Sequence, residues 1–224
     1  MTRLFTYTIP IDDGAAPNPF HGMCTLTICK PSIRRVAQPG DWVAGLGSKN
    51  APGGRDLSGR LVYAMRVEKV MSLAEYDRRA PTEWPHRIPN LQSLDLADRL
   101  GDCIYDYGAG EHESPKQRPG VHAPENMNPD LGGKNALLSR HFYYFGSRAI
   151  QLPKELSPIC HQGRGHKSNA NASYVERFKN WLDGLGLSGG QIYGWPDFII
   201  EWSSTRIACG CEPRREERAD DPVC

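Results

Sequence analysis

Hydrophobic and polar residues follow strand-like patterns most clearly in the first third of the chain. Arg3 to Ile11 alternates polar and apolar side chains, which is typical of an opening strand. Residues 41–46 and 61–67 are rich in β-branched, aromatic and small side chains, which favour strands. The connection between these two runs, residues 45–59, contains five glycines and a proline. The pattern therefore predicts a β-hairpin with a long glycine-rich loop.

Shorter patterns predict the elements around this hairpin. Residues 24–29 form a short apolar run that suits a strand or the edge of one. Residues 31–36 predict a single helical turn in which Ile33 and Val36 are buried and the arginines are exposed. Ser72 and Glu75 have the S-x-x-E spacing of a capping box, which predicts the start of a helix.

The second half of the chain carries one clear helical pattern between two strand-like segments. Residues 135–146 predict a strand that returns to the sheet, and residues 197–202 predict a last strand or edge element. Asn171 or Ser173 can cap the helix between them. Its apolar face is formed by Tyr174, Phe178, Trp181, Leu182 and Leu185, which recur at helical spacing.

Residues 80–135 differ from the rest because they carry seven prolines and few apolar periods. This segment is predicted to be a long irregular insertion in one domain that spans residues 1–211. The tail, residues 212–224, lacks core residues and is predicted to be flexible.

Composition narrows the classes of function. The 224 residues include no apolar run near the ~18 to 20 residues that a membrane span needs. The N-terminus lacks the apolar core of a signal peptide, so a cytoplasmic protein without membrane contact is predicted. A net charge of +1 gives no global basic field, so any contact with nucleic acid must be local. The odd count of seven cysteines favours reduced thiols over a disulfide framework.

A set of short motifs recurs along the strand-rich parts of the chain. These motifs are Ala16-Pro17-Asn18-Pro19-Phe20, Cys24-Thr25-Leu26, Cys29-Lys30-Pro31 through Arg34-Arg35, Gly40-Asp41-Trp42-Val43 with Gly47-Ser48, Arg60 to Met65 and Phe142 to Gly146. Together they resemble one bacterial family, the nucleotide-modification-associated (Nmad) domain proteins. This resemblance implies a compact barrel-like domain related to the PUA, ASCH and EVE group, found beside nucleotide-modifying or genome-defence systems. The predicted fold is therefore α+β, with a small PUA-like or EVE-like β-barrel, peripheral helices and the long insertion.

A pocket for a modified base needs a flat apolar wall and polar groups that contact the base edge. Stacking on an aromatic side chain contributes ~1 to 3 kcal/mol per base. The alternative reading is that the aromatic residues fill the core and the cations form a solvated rim. The predicted base-binding residues are Asn18, Phe20, Thr25, Trp42, Ser48 and Tyr63, and the predicted phosphate-binding residues are Lys30, Arg34, Lys49 and Arg60.

Three functions follow from these features. The leading hypothesis is non-catalytic recognition of a modified nucleobase, in nucleic acid or as a nucleotide, in a DNA-modification or phage-defence setting. The second is an enzyme that installs or removes such a modification, either with Cys24 and His21 as a thiol and a base or with a site in the insertion that the sequence does not reveal. The third is a structural subunit of a nucleotide-modifying enzyme. No orienting third residue is evident for Cys24, so no catalytic residue, metal or cofactor is predicted.

Overall fold

The computed structural model describes residues 1–108, 114–161 and 163–198. The strands are β1 (Leu4–Ile9), β2 (Cys24–Leu26), β3 (Trp42–Gly47), β4 (Arg60–Arg66), β5 (Lys69–Ser72), β6 (Tyr105–Asp106), β7 (Lys116–Gln117), β8 (Asn135–Ser139), β9 (Phe142–Tyr144), β10 (Ile150–Gln151) and β11 (Gln191–Ile192). The helices are α1 (Pro31–Val36), α2 (Leu73–Glu83), α3 (Leu96–Arg99), α4 (Met127–Leu131) and α5 (Val175–Gly184). Short 3₁₀ helices span Pro52–Gly54, Pro85–Arg87, Pro124–Asn126, Gly146–Arg148, Lys154–Ile159 and Asn169–Tyr174.

The main sheet is mixed and has its centre at the predicted hairpin. Its order is β1-β3-β4-β9-β11, and β10 also pairs with β4. β3 and β4 are antiparallel, as the hairpin predicts, whereas β1 lies parallel to β3. Gly45 pairs with Tyr63, and a Cβ atom at Gly45 would overlap the Tyr63 ring. Glycine therefore allows the two strands to approach each other at this position.

Two smaller sheets complete the fold. The order β2-β8-β5 forms a three-stranded antiparallel sheet, and β6 pairs with β7 as a short ribbon. The single returning strand predicted over residues 135–146 is in fact two strands, because β8 and β9 lie in different sheets. Arg140 and His141 form the corner between them. One segment of chain therefore joins the two sheets.

The prediction of an α+β fold is confirmed, but the prediction of a closed barrel is not. In the described ranges, β1 and β11 end the strand path of the main sheet, and no strand joins these two ends. Both faces of the sheet are instead covered, since β3 is buried along its whole length. On one face, Phe178 and Leu182 of α5 pack with Trp42 in a hydrophobic cluster. The sheet is thus a buried open layer.

Side-chain contacts correct one helix prediction and confirm another. In α1, Ile33 is buried as expected, but Arg34 is also fully buried and Val36 is 43% exposed. The predicted burial of Val36 and exposure of Arg34 are therefore wrong. At the start of α2, the Ser72 hydroxyl accepts a hydrogen bond of 3.0 Å from the Glu75 N–H, so the predicted cap is confirmed.

Residues 80–135 contain only short elements, but they pack into the molecule. Leu100, Ile104 and Val121 are fully buried in a cluster with the N-terminal segment and α2. Of the predicted last strand, only Asp197 and Phe198 fall in the described residues, and neither is in a strand. The predicted tail at 212–224 lies outside the described residues. Among the helices that the structure describes, none has the length and apolar content to cross a bilayer.

Candidate functional site

Cys29 lies on a strained turn between β2 and α1. Its φ is 58° and that of Lys30 is 42°, so two successive non-glycine residues adopt the left-handed conformation. Such backbone is uncommon outside glycine and costs on the order of 1 kcal/mol or more per residue, and it recurs at active sites. Pro31 then begins α1. The turn leaves Cys29 partly exposed, whereas Cys24 of β2 is fully buried.

The Cys29 thiol faces the ring of a histidine that a carboxylate orients. Cys29 Sγ lies 3.4 Å from His122 Nε2, and His122 Nδ1 lies 2.5 Å from Asp130 Oδ2. His122 and Asp130 are both buried. A thiol, an imidazole and a carboxylate in this order form the arrangement in which the imidazole can take the thiol proton.

The Asp130 carboxylate holds more than the histidine. Its Oδ1 accepts a hydrogen bond of 2.6 Å from the Cys29 N–H, and its Oδ2 accepts one of 2.7 Å from the Tyr105 hydroxyl. Burial, together with the charge of Asp130, raises the pKa of Tyr105, so this hydroxyl keeps its proton and remains a donor. One carboxylate therefore fixes the backbone of the thiol residue and the ring of the histidine.

Arg34 fixes the same turn from the other side. Its Nε donates to the Cys29 carbonyl at 2.7 Å, one terminal nitrogen donates to the Asp130 carbonyl, and the other donates to Asn135 O at 2.8 Å. Its guanidinium occupies the space where a Cβ of Gly133 would stand. Burial lowers the pKa of Arg34. The contacts of this residue are those of a positioning residue, and its predicted role in phosphate binding stays a prediction.

Two predicted base-edge residues lie instead in a buried polar network around Arg87. The Arg87 guanidinium donates to the Asn18 side chain at 2.6 Å and to the Thr25 hydroxyl at 2.9 Å. The Thr25 hydroxyl in turn donates to Asp102 at 2.5 Å, and Tyr76 donates to the same carboxylate at 2.8 Å. Asn18 and Thr25 are thus brought together, each with partners inside the protein.

The predicted aromatic residues are all buried. The ring centroids of Phe20 and Trp195 are 5.8 Å apart. Trp42 packs edge-on against Phe178, with a distance of 6.0 Å between the ring centroids. The Tyr63 hydroxyl hydrogen-bonds that of Tyr7 at 2.9 Å. Their roles in base binding stay predictions.

The predicted polar residues fall in two places. Lys30, which follows Cys29 in the chain, has its Nζ 4.6 Å from the centroid of the Tyr7 ring. Because the Tyr63 hydroxyl hydrogen-bonds that of Tyr7, Lys30 and Tyr63 both contact Tyr7. Ser48 and Lys49 lie in the β3–β4 connection instead, and Arg60 is the first residue of β4. The Ser48 hydroxyl accepts from Asn50 N at 3.0 Å, Lys49 is exposed, and Arg60 donates to Ala149 O at 3.2 Å.

A buried carboxyl follows the end of β1. Asp12 Oδ1 accepts a hydrogen bond of 2.6 Å from the Tyr144 hydroxyl, while its Oδ2 has no partner in the described part of the chain. Burial raises the pKa of Asp12 from 3.8 to about 7, the Tyr144 hydrogen bond opposes this, and the charges of Asp13 and Asp197 add to it. Near neutral pH this side chain is therefore partly protonated.

The alternative that paired Cys24 with His21 does not match the geometry. Burial raises the pKa of the Cys24 thiol well above its ordinary value, which suppresses the thiolate. The His21 ring lies beside His86 and Asp98 instead. Among the four cysteines that the structure describes, Cys29 has a histidine at hydrogen-bonding distance of its thiol.

Sequence reasoning noted Cys29 but missed His122 and Asp130. Both lie in the proline-rich segment, 93 and 101 residues from Cys29, where no periodic pattern or motif marks them. Within the part of the chain that the structure describes, two groups of three side chains have ligand atoms within 4.8 Å of one another and could hold a metal ion. One is this same group, Cys29, His122 and Asp130, and the other is His21, His86 and Asp98.

Fold and site together define a mixed α+β domain with a cysteine–histidine–aspartate constellation on a strained turn. The family model of nucleotide modification associated domain 2 matches residues 1–206, and the chain belongs to this family. The resemblance expected from the motifs is thereby confirmed. No curated protein and no solved structure gives a significant match.

Proposed function

We propose that the protein is a thiol enzyme of nucleotide modification, with Cys29 as nucleophile, His122 as base and Asp130 as the residue that orients the histidine. The observation that carries the proposal is the 3.4 Å approach of Cys29 Sγ to His122 Nε2, backed by the 2.5 Å contact of His122 with Asp130. The family supplies the nucleotide context. Arg34 and Tyr105 hold the constellation in place.

The chemistry that suits this geometry is acyl transfer. His122 Nε2 takes the thiol proton while Cys29 Sγ forms a bond to the acyl carbon, and the bond to the leaving group then breaks as that group receives the proton. Water or an amine next attacks the thioester, loses a proton to His122 and releases the thiol. The substrate class is an acyl group carried by a nucleotide or destined for one.

The reactivity of Cys29 tests the proposal. We expect iodoacetamide to modify Cys29 at pH 7 at least ~10-fold faster than Cys160, because an imidazole partner raises the thiolate fraction. Cys160 is a suitable internal control, since it is also partly buried and burial raises the pKa of its thiol. Mass spectrometry of peptides follows both sites in one sample.

Variants show whether the triad causes this reactivity. His122→Ala is expected to bring the rate at Cys29 down to that of Cys160, and Asp130→Asn is expected to lower it partly. Circular dichroism checks that each variant folds. A Cys29 that reacts no faster than Cys160, or that reacts equally fast in folded His122→Ala, would contradict the proposal. So would a metal ion that copurifies with the protein and whose removal by chelator frees the Cys29 thiol.

The alternative function is recognition of a modified nucleobase without catalysis. The relationship to the PUA, ASCH and EVE group also remains a prediction. The base-binding residues predicted for this alternative function, other than Ser48, are buried, which leaves the partly exposed Cys29 turn with the stronger case for chemistry. Titration with oligonucleotides and nucleotides that carry different base modifications tests it. Binding that depends on the modification, combined with an unreactive Cys29, would favour the alternative. Copurification with a nucleotide-modifying enzyme would favour a partner subunit.

A further inference from the structure

His21, His86 and Asp98 converge on the surface away from the Cys29 turn. His86 Nδ1 lies 3.1 Å from Asp98 Oδ1, and His21 Nε2 lies 3.3 Å from the same oxygen. The centroids of the two imidazole rings are 4.4 Å apart, and the angle between the ring planes is 18°. We propose that these three side chains form a binding site for a divalent transition-metal cation, with Zn²⁺ as the reference ion. This inference is independent of the function proposed for Cys29.

The distances and donor types fit such a cation. Zn²⁺ binds imidazole nitrogen and carboxylate oxygen at about 2.0 to 2.2 Å in tetrahedral geometry, which places the ligand atoms roughly 3.3 Å apart. The two nitrogen–oxygen distances of 3.1 and 3.3 Å match that separation. The rings are close to parallel, so one imidazole must rotate to direct its lone pair at the ion. Both histidines are exposed, which leaves room for this rotation.

Three separate segments supply the ligands, and buried contacts fix them relative to one another. Arg87, next to His86, donates to the carbonyls of Phe20 and Met23 on either side of His21. The Asn90 N–H donates to the Asp98 carbonyl at 2.9 Å, which ties α3 to the segment that follows the 3₁₀ helix carrying His86. The ligands are therefore held close together before any ion binds, which reduces the ordering that binding requires.

A further hydrogen bond orients the carboxylate. The Ser93 hydroxyl donates to Asp98 Oδ2 at 3.0 Å, so Oδ1 is the oxygen directed at the two histidines. Partners of this kind around metal ligands fix ligand orientation, and their loss typically costs 10- to 100-fold in metal affinity. Ser93 thus has the place of an outer partner of the site.

Zinc titration against a chromophoric chelator tests the proposal on the full chain. The background carries Cys29→Ser, Cys160→Ser, Cys209→Ser, Cys211→Ser and Cys224→Ser, so that the thiols left in the chain are those of Cys24 and Cys103, which are buried. We expect one ion per chain, with an affinity that falls at least ~100-fold in the double variant His21→Ala, His86→Ala. Ser93→Ala is expected to lose about 10-fold, as an outer partner does.

Co²⁺ provides a second readout. The Co²⁺ complex is expected to show visible bands without a thiolate charge-transfer band, because its protein ligands are nitrogen and oxygen. Zn²⁺ affinity in the folded double variant equal to that of the background would overturn the proposal. So would the absence of Zn²⁺ binding in the background protein while it remains folded by circular dichroism.

Discussion

Replacing Arg87 with methionine is expected to lower the free energy of unfolding by about 3 to 5 kcal/mol. Arg87 is 1% exposed, and its guanidinium donates to Asn18, Phe20, Met23 and Thr25. Methionine fills similar space but donates no hydrogen bond. Buried acceptors that lose their donor each cost roughly 1 to 3 kcal/mol, offset in part because the charge of Arg87 no longer has to be buried.

The electrostatic part of this decrease in the free energy of unfolding comes from Asp102. This carboxylate is also 1% exposed and is linked to Arg87 through the Thr25 hydroxyl, so the variant leaves a buried carboxylate without the cation to which it is linked. Arg87→Lys keeps a positive charge, but a single ammonium cannot replace the fork of donors. We therefore expect it to be clearly less stable than the wild type too.

Urea unfolding followed by circular dichroism measures both variants. Arg140→Met is the matched control, because Arg140 is exposed, and it should change the free energy of unfolding by less than about 0.5 kcal/mol. If Arg87→Met unfolds within 1 kcal/mol of the wild type, the buried network is not what stabilises this region.

Replacing Asp12 with asparagine is expected to stabilise the protein at pH 8 and to have little effect near pH 4. The pKa of native Asp12 is raised to about 7, whereas an unfolded aspartate titrates near 3.8. Between these pH values the native state holds more protons, so the free energy of unfolding of the wild type falls as the pH rises through this range. Asparagine carries no charge and still accepts from the Tyr144 hydroxyl.

The effect has an upper limit of about 4 kcal/mol, which follows from the rise of the pKa from 3.8 to about 7 at ~1.4 kcal/mol per pKa unit. Urea unfolding at pH 5 and pH 8 measures it, and the gain from Asp12→Asn should be larger at pH 8. Asp183→Asn removes an exposed carboxylate and should change stability equally at both pH values. A gain that is the same at both pH values for Asp12→Asn would contradict the raised pKa.

Local patterns predicted much of the fold because local interactions decide those elements. The β3–β4 hairpin follows from strand-forming residues on both sides of a glycine-rich loop, and the cap of α2 follows from Ser72 and Glu75. The barrel was expected from the family resemblance, and the strand patterns could not test it, because strand propensity does not specify how sheet edges end. β8 and β9 show this, since one apolar run divides between two sheets at Arg140 and His141.

The candidate site was predictable only in part. Cys29 stood out in a family motif, but His122 and Asp130 reach it through tertiary packing of a segment that has no periodic pattern. Arg34 was expected on the surface because arginine usually is exposed. The carbonyls that satisfy it belong to Cys29, Asp130 and Asn135, two of which lie about a hundred residues further along the chain. No local pattern can reveal such acceptors.

The hydrogen bond from the Cys29 N–H to Asp130 joins residues 101 positions apart. Contacts of such long range form only after the intervening chain has closed a large loop, which costs entropy and slows folding. During synthesis, a nascent chain therefore exposes Cys29 well before residue 130 leaves the ribosome. Until then the thiol lacks both its imidazole partner and its backbone anchor, so the reactivity proposed for Cys29 requires that the two halves of the molecule have already folded together.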